Sequence, residues 1–446
     1  MSWAEVKKIN SNMSISLDEL LLQVLSGGQR EYIYEDRIYR VPYTGTYTIR
    51  AFEGKYGSYG KVVKTFTKGE LLTISIAEGA LTITSNLQDT AVFHINLTKD
   101  SFVNSNSADS IRALAIGGAE IYTDGGNAYV NSNNGIAAGG GGSGGGNNIS
   151  SSSNANYYKG HNGGSAYAWG NNVYALGGGG GGSGASTNNS HTEFGIGGNA
   201  YINGTALSNF CSPTSLNSGK GYNGGARYHS SSWDYGGYGG NGGCGGGCGY
   251  ERYDYNTSSD FQGGGIGYFS DGGYINGASA KGGDEELSSS SYTAANRMAR
   301  SPKGYFVGGK GGGHPYNASN GGAGGFLGGT GASAQRGNGG NGGYSPYGFG
   351  GNGGWANNGA ANTYGGKGGD GKIFGGYGGN AQYNGHGGNG GNGYYAGMGG
   401  ISGAGINGTN GIEIINNRII GTAPLAGMTQ ATSIVIIEYG DSPEEF

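Results

Sequence analysis

Proline and charge are scarce in this chain, with 7 prolines in 446 residues and 12% charged side chains, about half the usual charged fraction. So little proline, with no strict G-X-Y period, excludes collagen. Lys and Arg number 25 against 29 Asp and Glu, a formal net charge of −4. Nothing in that balance draws the chain to nucleic acid or to anionic lipid. No apolar run approaches the ~18 residues of a spanning helix, so no membrane insertion is expected. The opening MSWAEVKKIN lacks the apolar stretch of a secretory signal peptide. The expectation is a protein made in the cytoplasm that stays there or leaves inside a particle released by lysis. Cysteine is rare too: Cys211, Cys244 and Cys248 only. The odd count argues against a disulfide scaffold, and Cys244-Gly-Gly-Gly-Cys248 is one residue longer than C-x-x-C. Reduced thiols are expected, with a loop disulfide or a metal as the alternatives.

What the chain has in abundance is glycine, 107 residues, alongside 34 tyrosines. Glycine in a helix or strand interior costs roughly 0.5–1 kcal/mol, so a coiled coil or ordinary α/β enzyme is excluded over most of the length. Residues 1–100 hold 8 glycines, residues 101–420 hold 96 and residues 421–446 hold 3. In the head, Ser16-Leu17-Asp18-Glu19 reads as a capping box. Leu17, Leu20, Leu21, Val24 and Leu25 then form one apolar stripe at helical spacing, closed by Gly27-Gly28. A helix this short is marginal alone in water. Its stripe, with Trp3 and Val6 ahead of it, must dock on something, which makes it the candidate attachment segment.

Strand signals follow at Tyr32–Tyr34, Thr46–Arg50, Leu71–Ile76, Leu81–Thr84, Phe93–Leu97 and Ile111–Ile116, and again at Ile412–Ile415 and Ile434–Tyr439. The last run is apolar enough for a buried central strand. The fold expected is mainly β: a β-sandwich formed by N- and C-terminal strands, with a glycine-rich body inserted and one short N-terminal α-helix. Four parts result: an attachment segment at 1–28, the β-rich part of the sandwich at 29–120, the glycine body with surface loops at 121–411, and closing strands at 412–446.

The body repeats itself. GGNAYVNSNNGIAAGGGG begins at Gly125 and GGSAYAWGNNVYALGGGG at Gly163; partial copies start at Gly197, Gly272 and Gly378. Triplet runs lie between them, at residues 236–249, 337–343 and 385–393. A flexible linker is the plain reading of such text, but linkers lack aromatics, and Tyr167, Trp169, Tyr174, Phe326, Trp355, Phe374 and Tyr394 punctuate these runs. The sharper reading is packed polyglycine-II helices. An extended three-residue helix makes no internal hydrogen bonds, so its N–H and C=O groups must find neighbours. Two glycines of each triplet would face those neighbours. The third side chain would face solvent or a covering sheet, so Gly242 and Gly339 should resist substitution and Asn241 should not.

With those residues in view, a resemblance becomes specific. VPYTGTYTIRAFEG (Val41–Gly54), then Lys68-Gly69-Glu70 leading into LLTISIAEG, resembles the opening of glycine-rich domains in phage tail-fibre proteins. Related modules occur in bacterial surface proteins and in the extracellular part of a group of receptor kinases. The repeated GGNAYING and the closing TSIVIIEYG look like the phage version, and Trp3–Leu20 looks like the N-terminal segment of tail proteins from phages of Gram-positive hosts. The family carries an inserted polyglycine-II bundle on a β-sandwich. Two departures are visible: GKYGSYGK after Phe52-Glu53 is poorer in glycine than the family pattern, and Asp284-Glu285-Glu286 with Arg297 and Arg300 form a charged insert. The resemblance implies a structural virion protein of the tail that binds a host-cell surface receptor, a homotrimer with other tail proteins as partners. The alternative is a bacterial glycine-rich adhesin or matrix protein.

Chemistry is hard to find in this sequence. Chance G-x-G-x-x-G matches carry no weight outside a strand–helix context, and neither a P-loop nor H-E-x-x-H occurs. The six histidines never fall within four residues of each other. Trp233-Asp234 has the flavour of a glycosidase site, but a glycine lattice is a poor catalytic scaffold. No catalytic residue, metal or cofactor is expected. Binding fits better, because Tyr, Ser, Asn and Gly dominate the loops, as they do in paratopes. The candidate contact residues are Tyr157, Tyr158, Tyr228, Trp233, Tyr235, Tyr250, Tyr253 and Tyr255, and the ligand expected is a host-cell surface glycan or protein.

Overall fold

A computed structural model describes residues 30–120, most of 123–247, and shorter stretches beyond, among them 338–345, 350–356, 363–371, 375–382, 385–393, 397–402, 406–412 and 433–440. The helix expected over residues 16–25 lies outside the described residues. Among those described, the protein is mainly β and holds no helix. In chain order the strands are β1 (Arg30–Ile33), β2 (Arg37–Arg40), β3 (Gly45–Phe52), β4 (Tyr59–Phe66), β5 (Leu71–Ala77), β6 (Ala80–Ser85), β7 (Phe93–Leu97) and β8 (Ser101–Ser105). There follow β9 (Ser110–Ile116), β10 (Ala128–Asn131), β11 (Asn134–Ala138), β12 (Ala166–Trp169), β13 (Asn172–Leu176), β14 (Ala200–Ile202) and β15 (Thr205–Ala206). Short pieces complete the set: β16 (Tyr228–Ser230), β17 (Trp233–Tyr235), β18 (Gly242–Cys244), β19 (Gly267–Ser270), β20 (Ile419–Ile420) and β21 (Ile434–Tyr439).

Two large sheets form. One runs β13-β11-β9-β4-β3-β21-β1-β20 and the other β15-β14-β12-β10-β8-β7-β6-β5-β2. The period-2 rule explains who faces whom. In β6, Leu81, Ile83 and Ser85 are buried while the residues between them are half-buried, and β7 repeats this with Phe93, Ile95 and Leu97. One hydrophobic cluster takes Ile49, Val62, Ala113 and Ala137 from the first sheet and Leu72, Ile83, Ile95 and Val130 from the second. Edge-to-face rings cross it, with Phe66 5.3 Å from Phe93 and 6.1 Å from Tyr47. Each such side chain, fully buried, contributes roughly 1.5–3 kcal/mol. Gly60 sits where a Cβ would come within 3.0 Å of Val103 and 3.1 Å of Ile95, so its missing side chain sets how closely the two sheets approach. A second cluster lies on the far face of the first sheet, joining Phe52, Tyr59, Leu114, Ile116 and Leu176 to Cys211 and Cys244.

The strand expected at Ile434–Tyr439 is buried, and it lies between β3 and β1, antiparallel to both. It brings Glu438 to Arg30 Nε at 3.2 Å and to Arg50 Nη1 at 3.0 Å. The other expected closing strand differs. Ile412 is in no strand and is 71% exposed, and residues 413–415 lie outside the described residues. β4 was not foreseen, because Lys61 and Lys64 disguise a strand at the centre of a sheet. Both are buried, and Lys64 Nζ donates to Ser107 Oγ at 2.7 Å.

From β8 the chain coils. It lays one strand in each sheet per turn, so β8, β10, β12 and β14 are parallel neighbours in one sheet and β9, β11 and β13 in the other. The repeat becomes the register: Asn172 Nδ2 donates to Asn134 Oδ1 at 3.1 Å and Asn171 Nδ2 to Asn133 Oδ1 at 3.3 Å, each 38 residues apart. Where the coil carries Ala, Val and Ile, side chains hold its two layers apart. Where it carries glycine, the layers touch, and Gly126, Gly140, Gly164, Gly178, Gly198 and Gly221 each donate to the carbonyl of the one before, starting from Gly118, at 2.7–2.9 Å. A Cβ on Gly139, Gly163 or Gly177 would overlap a carbonyl oxygen of the facing layer, that of Gly164, Gly178 or Gly198.

The later segments show the rule most clearly. Within 363–371, the carbonyls of Tyr364, Lys367 and Asp370 accept from Gly339, Gly342 and Ser345. Gly365, Gly368 and Gly371 donate to His386, Asn389 and Asn392. Gly366 and Gly369 donate to Gly354 and Gly351 and accept from Gly379 and Gly376, and all these bonds measure 2.8–3.0 Å. One segment thus bonds four others with a three-residue period. The third residue is no bystander, contrary to the expectation for asparagine. Its N–H is taken by a side chain of the adjacent segment in several places, as by Asn341 Oδ1 for Lys367 and Asn352 Oδ1 for Tyr377, whereas His386 donates to the backbone carbonyl of Thr363. At the last segment, 406–412, Asn407 and Asn410 stand where earlier segments have glycine, and their Oδ1 atoms accept from Ser402 and Gly399. The described residues of all three expected triplet segments, 236–249, 337–343 and 385–393, carry inter-segment bonds; in the first, Gly240 donates to Gly180 and Gly247 to Gly142, and its residues Gly242–Cys244 also form β18, a strand parallel to β19.

Candidate binding face

The outer face of the nine-stranded sheet carries one line of aromatic residues. Parallel pairing puts Phe102, Tyr129, Tyr167 and Tyr201 in register across β8, β10, β12 and β14. Tyr129 and Tyr167 stack at 4.8 Å with planes 5° apart, and Tyr167 and Tyr201 at 4.8 Å with planes 2° apart. That spacing is the distance between neighbouring strands, so the sheet itself sets the stack. Their partners along each strand, Ala128, Val130, Ala166, Ala168 and Ala200, are buried on the core side, which leaves the rings no choice but to face outward. Trp169 joins the stack at 6.1 Å from Tyr167 and is 38% exposed. Partial burial raises the Tyr129 hydroxyl above its ordinary range and lowers the His94 imidazole beside Phe102, so both stay neutral at pH 7.

A polar line runs beside the aromatic one. Asp100 Oδ1 accepts from Asn127 N, Asn127 Oδ1 from Ser165 N, and Ser165 Oγ from Asn199 N, at 2.7, 2.9 and 3.2 Å. Each side chain ties its strand to the next. A second exposed aromatic pair lies further along: Phe210 and Tyr222 stack at 4.5 Å, with Lys220 Nζ 5.4 Å from the Phe210 ring.

Few of the sequence-expected contact residues can be placed here. Tyr228, Trp233 and Tyr235 belong to the hairpin β16–β17, with Tyr228 opposite Tyr235 and Ser230 opposite Trp233. Tyr157, Tyr158, Tyr250, Tyr253 and Tyr255 lie outside the described residues, as do Trp3, Leu17, Leu20, Leu21, Val24 and Leu25. The stacked tyrosines were missed as a site although their signal was in plain sight: they are the Tyr of each G-G-x-A-Y repeat, and Ser101-Phe102-Val103-Asn104 is the same unit one turn earlier without its glycines.

Catalytic groups do not assemble around these lines. His161 Nδ1 stands 3.7 Å from Asp124 Oδ1, and this contact with His161 holds the Asp124 carboxyl below its usual range. His161 Nε2 and the buried Ser143 hydroxyl each lack a hydrogen-bond partner, so they are not bonded to one another and no relay forms. Cys211 and Cys244 are buried, and burial pushes the Cys211 thiol up to about 11, far from a reactive thiolate. Among the described residues no three His, Cys, Asp or Glu side chains are grouped to hold a metal ion, and no helix is long and apolar enough to cross a membrane. Comparison with protein-family models, curated proteins and solved structures gives no match.

Proposed function

We propose that this chain is a structural protein of a phage tail, a fibre or tail-tip component that binds the surface of the host cell. In this reading the two large sheets close on their shared cluster as a β-sandwich, and the glycine segments are polyglycine-II helices packed on one another. The observation that carries it is the display of third-position side chains. Tyr344, Trp355, Tyr364, Tyr377, Met398 and Ile401 are 49–66% exposed, on a backbone whose polar groups are bonded to neighbouring segments. Contact groups fixed this way lose little further freedom when they meet a partner, which favours binding. The phage assignment itself rests on the resemblance of Val41–Gly54, the GGNAYING repeats and TSIVIIEYG. Residues 1–28 would join the tail, in a homotrimer, without cofactor or catalytic chemistry.

Adsorption tests the reading. Purified chain should compete with particles for susceptible cells, and antibodies against it should label the particle's tail. A chain lacking residues 1–28 should bind cells yet fail to join particles. Unlabelled particles would overturn the virion role. A truncated chain that folds and binds no susceptible cell would make the protein a spacer rather than a receptor-binding one.

A further inference from the structure

Among the described residues the aromatic and polar lines end at the same sheet edge, and both end open. β15 is the edge strand, antiparallel to β14, and it sets Ala206 opposite Tyr201. Where Tyr129 and Tyr167 each have a ring on the next strand, Tyr201 has an exposed methyl group. Its planes lie within 2° of Tyr167, so one face of its ring looks along the sheet over Ala206. Asn199 closes the polar line. Its N–H is held by Ser165 Oγ, but there is no further parallel strand for its side chain to cap, and among the described residues nothing bonds its exposed amide. The slot is thus one flat apolar ring face, a floor one methyl high, and an amide with a free donor and a free acceptor two residues along the same strand.

We propose that this slot is a subsite for one pyranose ring of a neutral surface polysaccharide. A pyranose offers an apolar C–H face, which suits the ring of Tyr201, and equatorial hydroxyls, which suit the Asn199 amide; burying those hydroxyls without partners would be unfavourable. Asn203 shapes the neighbouring turn instead: both ends of its amide are bonded to Gly170, at 3.0 Å each. Asn199, Tyr201, Asn203, Thr205 and Ala206 carry no cation, so a nucleotide's phosphates would have no counter-charge here. A single such subsite binds weakly, and several copies on one particle would raise the avidity. The inference rests on the host-surface reading and names the ligand class for it.

The full-length chain and the variants Ala206→Phe and Asn199→Ala test it. A phenylalanine at 206 adds the missing ring and fills the slot without touching the core. The probes are oligosaccharides of glucose, galactose, rhamnose, N-acetylglucosamine and N-acetylgalactosamine, followed by saturation-transfer NMR, with labelled chain binding to susceptible cells in parallel. The expected result is saturation transfer to at least one sugar, lost at least tenfold in Ala206→Phe and severalfold in Asn199→Ala, at an unchanged unfolding midpoint. No transfer to any sugar, or equal transfer to Ala206→Phe, overturns the slot. So does a change of sedimentation in Ala206→Phe without any sugar effect, which would make the slot a contact between copies. Cell binding that survives Ala206→Phe leaves the host-surface reading standing without the slot; sugar binding without cell binding does the reverse.

Discussion

The side-chain oxygen of Asn338 accepts the backbone N–H of Tyr364 at 2.8 Å. Three residues on, Asn341 does the same for Lys367 at 2.8 Å. The N–H groups of residues in third position would otherwise be the only backbone donors in a triplet left to water. Because Tyr364 and Lys367 are themselves exposed, water replaces a lost partner at little penalty, and each bond is worth the lower part of the usual ~0.5–1.5 kcal/mol. Asn341→Ala and Asn352→Ala are each expected to lower stability by about 0.5 kcal/mol, and Asn341→Asp, which keeps the acceptor, by less. Denaturant melts of the four chains check this. Equal midpoints for Ala and Asp at 341 would return asparagine to a bystander's role.

Two glycines separate room from conformation. Gly204 has φ of +79° and nothing within 4 Å of where a Cβ would stand. Gly339 has no positive φ, but a Cβ there would sit on the carbonyl oxygen of Gly354. Gly204→Asn is expected to be nearly neutral, because asparagine tolerates the left-handed region, as neighbouring Asn203 does at φ 49°. Gly339→Ala is expected to cost roughly 3 kcal/mol or more, since overpacking against rigid backbone cannot relax by a rotamer change. Circular dichroism and thermal melts of both variants decide it. A well-folded Gly339→Ala chain would mean that the segments are not in contact.

What could be read from the sequence was whatever depends on local pattern. Phe93–Leu97 alternates, and β7 has those bounds; Ile434–Tyr439 is an apolar run, and it is buried. β4 was hidden because its lysines sit in a central strand and find partners only from elsewhere in the chain, such as Ser107 for Lys64. The aromatic line was hidden for a different reason. Phe102, Tyr129, Tyr167 and Tyr201 were visible one by one, but only parallel pairing of successive coil turns places them side by side. The asparagines in third position looked like solvent residues, since their backbone partners lie 20–26 residues away.

Buried phenols and a buried thiol make the fold sensitive to alkali. Burial holds Cys211 protonated up to about 11, against an ordinary 9.0, and Tyr32 and Tyr47 up to about 12, against 10.0. Between the ordinary and the raised values the folded chain binds more protons than the unfolded one, so stability falls as pH rises. The decline should begin near pH 9, steepen past 10 and continue to about 12. Cys211→Ala should flatten its first part, between about 9 and 11, by on the order of 2 kcal/mol. Urea midpoints across that range test the slope, and the share of tyrosinate absorbance that belongs to buried phenols such as Tyr32 and Tyr47 should appear only with unfolding. A midpoint constant from pH 8 to 11 would contradict the burial of these groups.

Glu438 is the point at which the end of the chain holds its beginning. Its Oε2 receives Arg30 Nε from β1 and Arg50 Nη1 from β3, on strands either side of β21, and the Arg50 side chain is fully buried. Desolvating such a cluster offsets much of its attraction, so the pair need not be a large net source of stability. Removing the carboxylate alone is another matter, because two guanidinium groups then remain together in a buried place without the anion between them. Glu438→Ala is expected to cost roughly 3–5 kcal/mol, and Glu438→Gln, which keeps one acceptor oxygen but not the charge, somewhat less. Replacing the charged set together, by Arg30→Leu, Arg50→Met and Glu438→Leu, should recover most of the loss, since the strand pairing of Arg30 with Glu438 and of Ile436 with Arg50 does not depend on their charge. Equilibrium unfolding of the three chains against the parent measures each step. Recovery by the apolar set would show that the ion cluster specifies where β21 docks rather than how tightly. Failure of all three to fold would show that β21 needs the charges to enter the sheet.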